Sequence, residues 1–288
     1  MPIPRPPTGD SVRRLVTVGG LRLNVSVSGR AGETPLVLLG GIGAPLELWE
    51  PFRLAFGSET VAIDAPGVGG SEKLPWPYSM RKIARVFDSL LDQMGYGVVD
   101  VLGFSWGGGV AQHLALIRGR RLRRLVLVST GYGVGSVPAD PSALLHLLTP
   151  ARYFSQGHFL RVAPSLYGGE TRRNPEHLPG QAAVRSARRP SAVGYLHQVA
   201  AAATWMALPL LPFIQSDTLV LTGDDDPIID VKTAQVMAAV LPHGRIHVVP
   251  GAGHMFLVDQ AADASAIVTA FLRERPAATR DIPAVAAG

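Results

Sequence analysis

A serine set among glycines, a cluster of aspartates and a histidine near the end of the chain give this sequence its chemical potential. Gly103-Phe104-Ser105-Trp106-Gly107 has the form G-x-S-x-G and follows the apolar run "VVDVLGF" at 98–104. In a tight strand-to-helix turn, Gly103 and Gly107 would leave room for neighbouring backbone where a Cβ would clash, while the Ser105 hydroxyl stays presented. A glycine-rich helix start with Ser105 as N-cap would have the same local sequence, so its partners must decide. A serine hydroxyl is a weak nucleophile near neutral pH; it needs a base, and the base needs an acid to orient it.

Both partners occur in chain order, each after a run of strand character. "LVLTGDDDPIID" (219–230) offers Asp224, Asp225 and Asp226. Asp226, three residues past Gly223 and directly before Pro227, is the expected acid; the other two are expected to be solvated loop carboxylates. "VVPGAGHMF" (248–256) places His254 in a loop of small residues that can carry an imidazole back over the serine. His113, His243 and His247 fit structural roles, whereas His146, His158, His177 and His197 are candidates for substrate contact. An oxyanion needs two convergent N–H donors. Trp106, next after the serine, is one; Ile42 in "LLGGIGAPLELW" (38–49) is the other, with Gly41 and Gly43 allowing close approach of the backbone to a carbonyl.

The elements that must hold these groups follow from the hydrophobic pattern. Continuous Val/Leu/Ile runs at 35–41, 60–67, 98–104, 124–131, 218–226 and 245–254 alternate with helical patterns at 46–55, 79–94, 107–118, 231–240 and 257–273. That alternation predicts an α/β fold with a mostly parallel, doubly wound sheet covered on both faces. "RLVTVGGLRLNVSVSG" (14–29), with Gly19-Gly20 between two alternating strands, predicts an antiparallel hairpin at one edge. The interval 135–215 breaks the rhythm and reads as a helical lid. The expected organisation is therefore 1–134 as the first part of the core, 135–215 as the lid, 216–275 as the second part of the core and 276–288 as a flexible tail. Within the lid, Leu144, Leu145, Leu148, Tyr153, Phe154, Phe159, Leu160, Trp205 and Met206 are expected either to pack between lid and sheet or to line an acyl groove. "VAAAATWMALPLLPFI" (199–214) is too short to span a bilayer and is expected to be a helix broken at Pro209.

Composition excludes several other classes. The 288 residues are 47% hydrophobic and 17% charged, enough apolar side chain for a substantial core. There is no cysteine, so disulfides and thiolate chemistry are out. The net charge of +5 comes mainly from arginine, densest in "IRGRRLRRL" (117–125), which is expected to be a solvated helix end and loop. No basic face interleaved with aromatics suggests nucleic-acid binding. "MPIPRPPTGDSVRR" has no apolar signal segment, so a cytoplasmic location is the expectation. Neither a metal nor an organic cofactor is called for.

The motif set resembles the α/β-hydrolase superfamily. "GGIGAPLELWEPF", "AIDAPGVGGSE", "GFSWGGGVAQHLA", "TPARYFSQGHFLRVAPSLYGGETRRNPE", "LVLTGDDDPIID" and "GHMFLV" further resemble intracellular poly(3-hydroxyalkanoate) depolymerases of the medium-chain-length type, over roughly 33–275. The chain departs from that pattern at Gly40 and Pro45. The resemblance implies a serine hydrolase that cleaves a hydrophobic ester or polyester through an acyl-enzyme, with a storage-granule surface as a further partner. A histidine base implies loss of activity as pH falls through about 6 to 7. A general carboxylesterase, a meta-cleavage carbon–carbon hydrolase and a cofactor-free perhydrolase share the same residues, and a silent ligand-binding hydrolase fold is the non-enzymatic alternative. Ser105 in place of an elbow aspartate disfavours epoxide hydrolases and dehalogenases.

Overall fold

In the computed structural model, which describes residues 11–30, 34–137 and 140–274, strands β1 (Val12–Val18) and β2 (Leu21–Ser28) form the edge hairpin. Gly19 and Gly20 both take positive φ, 55° and 82°, as a two-residue turn matched to strand twist requires. Six strands follow: β3 (Leu36–Leu39), β4 (Thr60–Ile63), β5 (Val99–Phe104), β6 (Leu122–Val128), β7 (Asp217–Gly223) and β8 (Gly244–Val249). The sheet order is β1-β2-β4-β3-β5-β6-β7-β8; β2 pairs antiparallel with β1 and β4, and all later pairings are parallel. Residues 276–288, expected to be a tail, lie outside the described residues.

Side chains alternate between two cores, as the strand period of two demands. Val37, Leu39, Val99, Val101, Leu125, Leu127 and Val220 face helices Met80–Gln93, Trp106–Arg118 and Val231–Val240. Leu36, Leu38, Leu102, Phe104, Val126, Val128, Leu219 and Leu221 face Glu50–Phe56 and Ala261–Arg273. Strand β8 departs from the expectation of cover on both faces: as the far edge of the sheet it is largely solvent-facing, with Ile246 and His247 exposed.

Between β6 and β7 the described chain is helical, including Pro141–Leu147, Ala151–Phe154, Gln156–Tyr167, Gly169–Arg173, Leu178–Ala187 and Ala192–Ala203. The last of these ends at Thr204, not at Pro209. Met206 then pairs with Gly133, and Pro209 lies in the first turn of a separate 3-10 segment, Leu208–Phe213. A bridge to Gly133 in the loop after β6, rather than the proline, stops the helix.

The arginine run is only in part the solvated helix end and loop its composition suggests: Arg120, Arg121 and Arg123 are exposed, but Arg118 and Arg124 are buried. The Arg118 guanidinium is fully buried; it pairs with Asp88 at 2.8 Å and donates to the Tyr96 and Gly97 carbonyls. Arg121 pairs with Asp92, Arg123 with Asp100, and Arg124 lies over the Phe271 ring. The run crosses from the helix end into β6, where Asp88, Asp92 and Asp100 supply the counter-charge.

Candidate active site

Four loops leave the C-terminal ends of parallel strands on the same edge of the sheet, the edge where open α/β sheets place ligands. They carry Ile42 after β3, Ser105 after β5, Asp226 after β7 and His254 after β8. Ser105 sits at φ 51°, ψ −118°; only one other non-glycine described residue, Ser129, has positive φ. Such a conformation costs about 1–3 kcal/mol and persists only where its surroundings impose it. Here they do: a Cβ on Gly107 would strike the Leu39 and Gly40 backbone, and one on Gly103 would come within 2.5 Å of Ala111 Cβ. The elbow is locked between β3 and the helix it starts.

The structure brings the three candidate groups together. His254 Nε2 lies 3.1 Å from Ser105 Oγ, and its Nδ1 lies 2.8 Å from Asp226 Oδ2. Asp226 Oδ1 accepts the N–H groups of Ile228 (2.8 Å) and Ile229 (3.1 Å), so the buried carboxylate is fixed by its own turn. The His254 ring is stacked parallel to Tyr167 at 6.2 Å, and the His254 backbone N–H donates to the Tyr167 carbonyl. Hydroxyl, imidazole and carboxylate thus form one hydrogen-bonded chain that can pass a proton from serine to histidine.

Asp224 and Asp225 are more engaged than solvated loop carboxylates would be. Asp224 accepts the Gly251 N–H at 2.6 Å, and Asp225 accepts the Gly169 N–H and pairs with Arg172. Each ties a neighbouring loop to the Asp226 turn.

Among the described residues, neither the Ile42 nor the Trp106 N–H donates to a protein acceptor. The following peptide is held tightly. The Ile42 carbonyl accepts from Tyr153 Oη (2.7 Å) and Arg152 Nη2 (3.3 Å), and Gly43 N–H donates to Gln198 Oε1 at 2.7 Å. Gln198 also receives the Trp106 indole N–H on its backbone carbonyl at 3.0 Å. Gly43 takes φ +68°, and a Cβ there would lie 2.7 Å from the Tyr153 ring. A side chain there would collide with the helical segment; Gly41 faces Phe104 and Ser105.

The cavity at Ser105 is small, about 30 Å³, and Ile42, Tyr153, Tyr167, Arg152, Arg185, His254 and Met255 are among its lining residues. None of His146, His158, His177 or His197 lines it: His146 and His158 contact each other, His177 lies by Asp259, and His197 packs on Tyr78. Of the apolar side chains expected to pack or to line a groove, only Tyr153 borders the cavity. Phe159 is core and Trp205 is half-buried, whereas Leu144, Leu145, Leu148, Phe154, Leu160 and Met206 are exposed.

Burial opposes the charge on Arg152, yet the phenolic oxygens of Tyr167, Tyr153 and Tyr195 outweigh it and raise its pKa. Burial pushes Tyr195 up to about 12. Among the described residues no three His, Cys, Asp or Glu side chains gather to hold a metal, and no helix is long and apolar enough to cross a membrane. Sequence reasoning missed Gln198, Arg152 and Arg185; nothing local marks them, because their meaning arises only when the helical segment folds back onto Ile42.

The family model of the alpha/beta hydrolase fold matches residues 34–261. A poly(3-hydroxyalkanoate) depolymerase of Ectopseudomonas oleovorans is 39% identical over 249 residues, 85% of this chain and 87% of that protein. A 2-hydroxymuconate semialdehyde hydrolase of Pseudomonas sp. (strain CF600) is 28% identical over 293 residues, 95% of this chain and 98% of that protein. Among solved structures, the enol-lactonase of Burkholderia xenovorans LB400 superposes with a TM-score of 0.78 at 23% identity, covering 91% of this chain and all of the other, a likeness of fold. With the strand order, the edge hairpin and these matches in agreement, the chain belongs to the alpha/beta-hydrolase family.

Proposed function

We propose that this hydrolase cleaves ester bonds through a Ser105–His254–Asp226 triad, and that its substrate is a poly(3-hydroxyalkanoate) or an oligomer of it. The observation that carries the reading is the continuous hydrogen-bonded chain from Ser105 Oγ through His254 to Asp226, with spacings of 3.1 and 2.8 Å. Neutral His254 takes the serine proton at Nε2 as Oγ attacks the ester carbonyl; Asp226 holds the proton on Nδ1 and stabilises the imidazolium. The Ile42 and Trp106 N–H groups receive the developing oxyanion. Collapse breaks the carbonyl–oxygen bond, His254 protonates the departing alkoxide, and water repeats the sequence on the acyl-enzyme. Residues 135–215 act as the lid over this site. Support for the polyester comes from the depolymerase relative.

The test is labelling with a fluorophosphonate probe, followed by incubation with a medium-chain polyhydroxyalkanoate suspension. Wild type should be labelled, Ser105→Ala should not, and 3-hydroxy acids should appear only with wild type. Folded wild-type protein that resists the probe would sink the serine-hydrolase reading. Hydrolysis of p-nitrophenyl esters without release of 3-hydroxy acids would remove the polyester and leave a general esterase.

A further inference from the structure

Two guanidinium groups border the cavity that contains Ser105 and His254, and the proposed reaction uses neither. Arg185 and Arg152 are 2% and 3% exposed. Among the described residues, no carboxylate forms an ion pair with either. Arg185 donates through Nη1 to the Tyr153 hydroxyl at 3.2 Å and approaches the Met255 sulfur at 3.8 Å. Arg152 donates to Tyr195 Oη (2.6 Å), the His146 carbonyl (3.2 Å) and the Ile42 carbonyl (3.3 Å). The Nε–H of each has no partner.

Buried charge is costly unless it is paired. Buried Arg53 has Glu50, and buried Arg118 has Asp88 and Asp92; buried Arg124, with no ion pair among the described residues, instead lies over the Phe271 ring and donates to the Glu274 carbonyl. At the cavity, aromatic faces take the place of an anion. Arg185 lies 5.0 Å from the Phe159 ring centre and 5.5 Å from those of Tyr153 and Tyr167, and Arg152 lies over Tyr153 and Tyr195. Asp259 is the acid that feels Arg185, but its oxygens are engaged by Thr171, Gln181 and His177. Ring faces keep a guanidinium charged while leaving N–H edges unspent, and those edges match a carboxylate in geometry.

We propose that Arg152 and Arg185 form a carboxylate-binding subsite beside Ser105, so that the preferred substrate is an ester with a free carboxylate a few bonds from its scissile carbonyl. In a 3-hydroxyacyl chain that group is the acid terminus, carried by the departing 3-hydroxy acid, and cleavage runs from the carboxyl end or on acid-ended oligomers. Arg152 reaches the carbonyl of the residue whose N–H faces the oxyanion, and Tyr153 links Arg185 to the same carbonyl. A carboxylate held there is held within reach of the reacting ester.

The inference rests on the proposed ester-hydrolase reading, and its test separates the two. Wild type is assayed on a 3-hydroxyoctanoate dimer as the free acid and as its methyl ester, and on polymer with free or methylated carboxyl ends. The free acid should be favoured at least about tenfold in kcat/KM, and R185M should reduce that ratio by about tenfold. Uncapped polymer should release acid faster than capped polymer if chain ends are used; equal polymer rates with a preference for the acid dimer place the activity on oligomers. Equal rates on both dimers overturn the subsite and leave the hydrolase reading standing. No turnover of either dimer and no fluorophosphonate label overturn both. A ratio unchanged in R185M, with both rates lowered together, assigns the arginine to the oxyanion and refutes the proposal. If R185M does not fold, wild-type inhibition by 3-hydroxyoctanoate against its methyl ester decides: equal inhibition refutes it.

Discussion

Gln198 offers the sharpest quantitative test of how the helical segment and the reacting centre depend on each other. Its side chain accepts the Gly43 N–H at 2.7 Å and its backbone carbonyl accepts the Trp106 indole at 3.0 Å, so one residue touches both segments that would supply oxyanion donors. Gln198→Met removes only the first bond. Gly43 N–H is then a buried donor without an acceptor, a penalty of about 1–3 kcal/mol. The Ile42 carbonyl keeps its bonds to Tyr153 and Arg152, so the peptide is loosened at one end and held at the other. Complete loss of an oxyanion donor costs about 10²–10³ in kcat; a loosened one should cost about 10- to 100-fold, or about 1.4–2.7 kcal/mol. The assay is kcat and KM for p-nitrophenyl octanoate, with circular dichroism to establish folding. The loss should fall on kcat, with KM changed little, and Gln198→Glu, which keeps an acceptor for Gly43, should recover part of it. A folded Gln198→Met variant with kcat within about twofold of wild type would refute the argument that this bond shapes the oxyanion site.

Asp226→Asn keeps an oxygen for the Ile228 and Ile229 N–H groups but presents an amide N–H to His254 Nδ1, favouring the wrong tautomer; kcat should fall about 10³–10⁴-fold with little change in Tm, and near-normal turnover would count against the triad. Burial drives the Asp64 carboxyl up to about 6, against the donors Asn24, Gly70 and Leu46, with Glu47 adding to the rise. Its folded value lies above its unfolded one, so the stability it contributes is full below about pH 4 and is lost as pH rises through 6, a swing of about 3 kcal/mol. Denaturant unfolding of wild type and Asp64→Asn between pH 4 and 8 should show their difference changing in that window, and a pH-independent difference would contradict it.

What could be read directly from the sequence was whatever is written locally. The Gly19-Gly20 turn, the apolar run into Ser105 and the strand endings before Asp226 and His254 each depend on a few adjacent residues, and backbone sterics leave them little choice. The interruption between β6 and β7 was visible as a change of hydrophobic period. Its contents were not, because Gln198 meets Gly43 across 155 positions and Tyr153 meets Ile42 across 111. The same distance effect hid the counter-charges of Arg118, which lie on a separate helix, and the true end of helix Ala192–Ala203, which a pairing with Gly133 determines. Proline at 209 was the stronger local signal, yet the tertiary bridge acts first along the chain.

The backbone of the helical insertion interlocks with the loops that carry Asp226 and His254. A Cβ on Gly168 would strike the Asp225 carbonyl, one on Gly169 would strike Gly253, and one on Gly253 would strike the Tyr167 carbonyl. His254 N–H is itself bonded to Tyr167. For protein engineering, this means the insertion is not an exchangeable cassette. A chimera joined at the ends of β6 and β7 would import foreign side chains at 168–169 into a fit that tolerates none, and would misplace the imidazole before it altered specificity. Arg152, Tyr153 and Gln198 tie further parts of the insertion to Ile42 and Gly43, so substrate range should be altered by individual side-chain changes on the cavity wall instead.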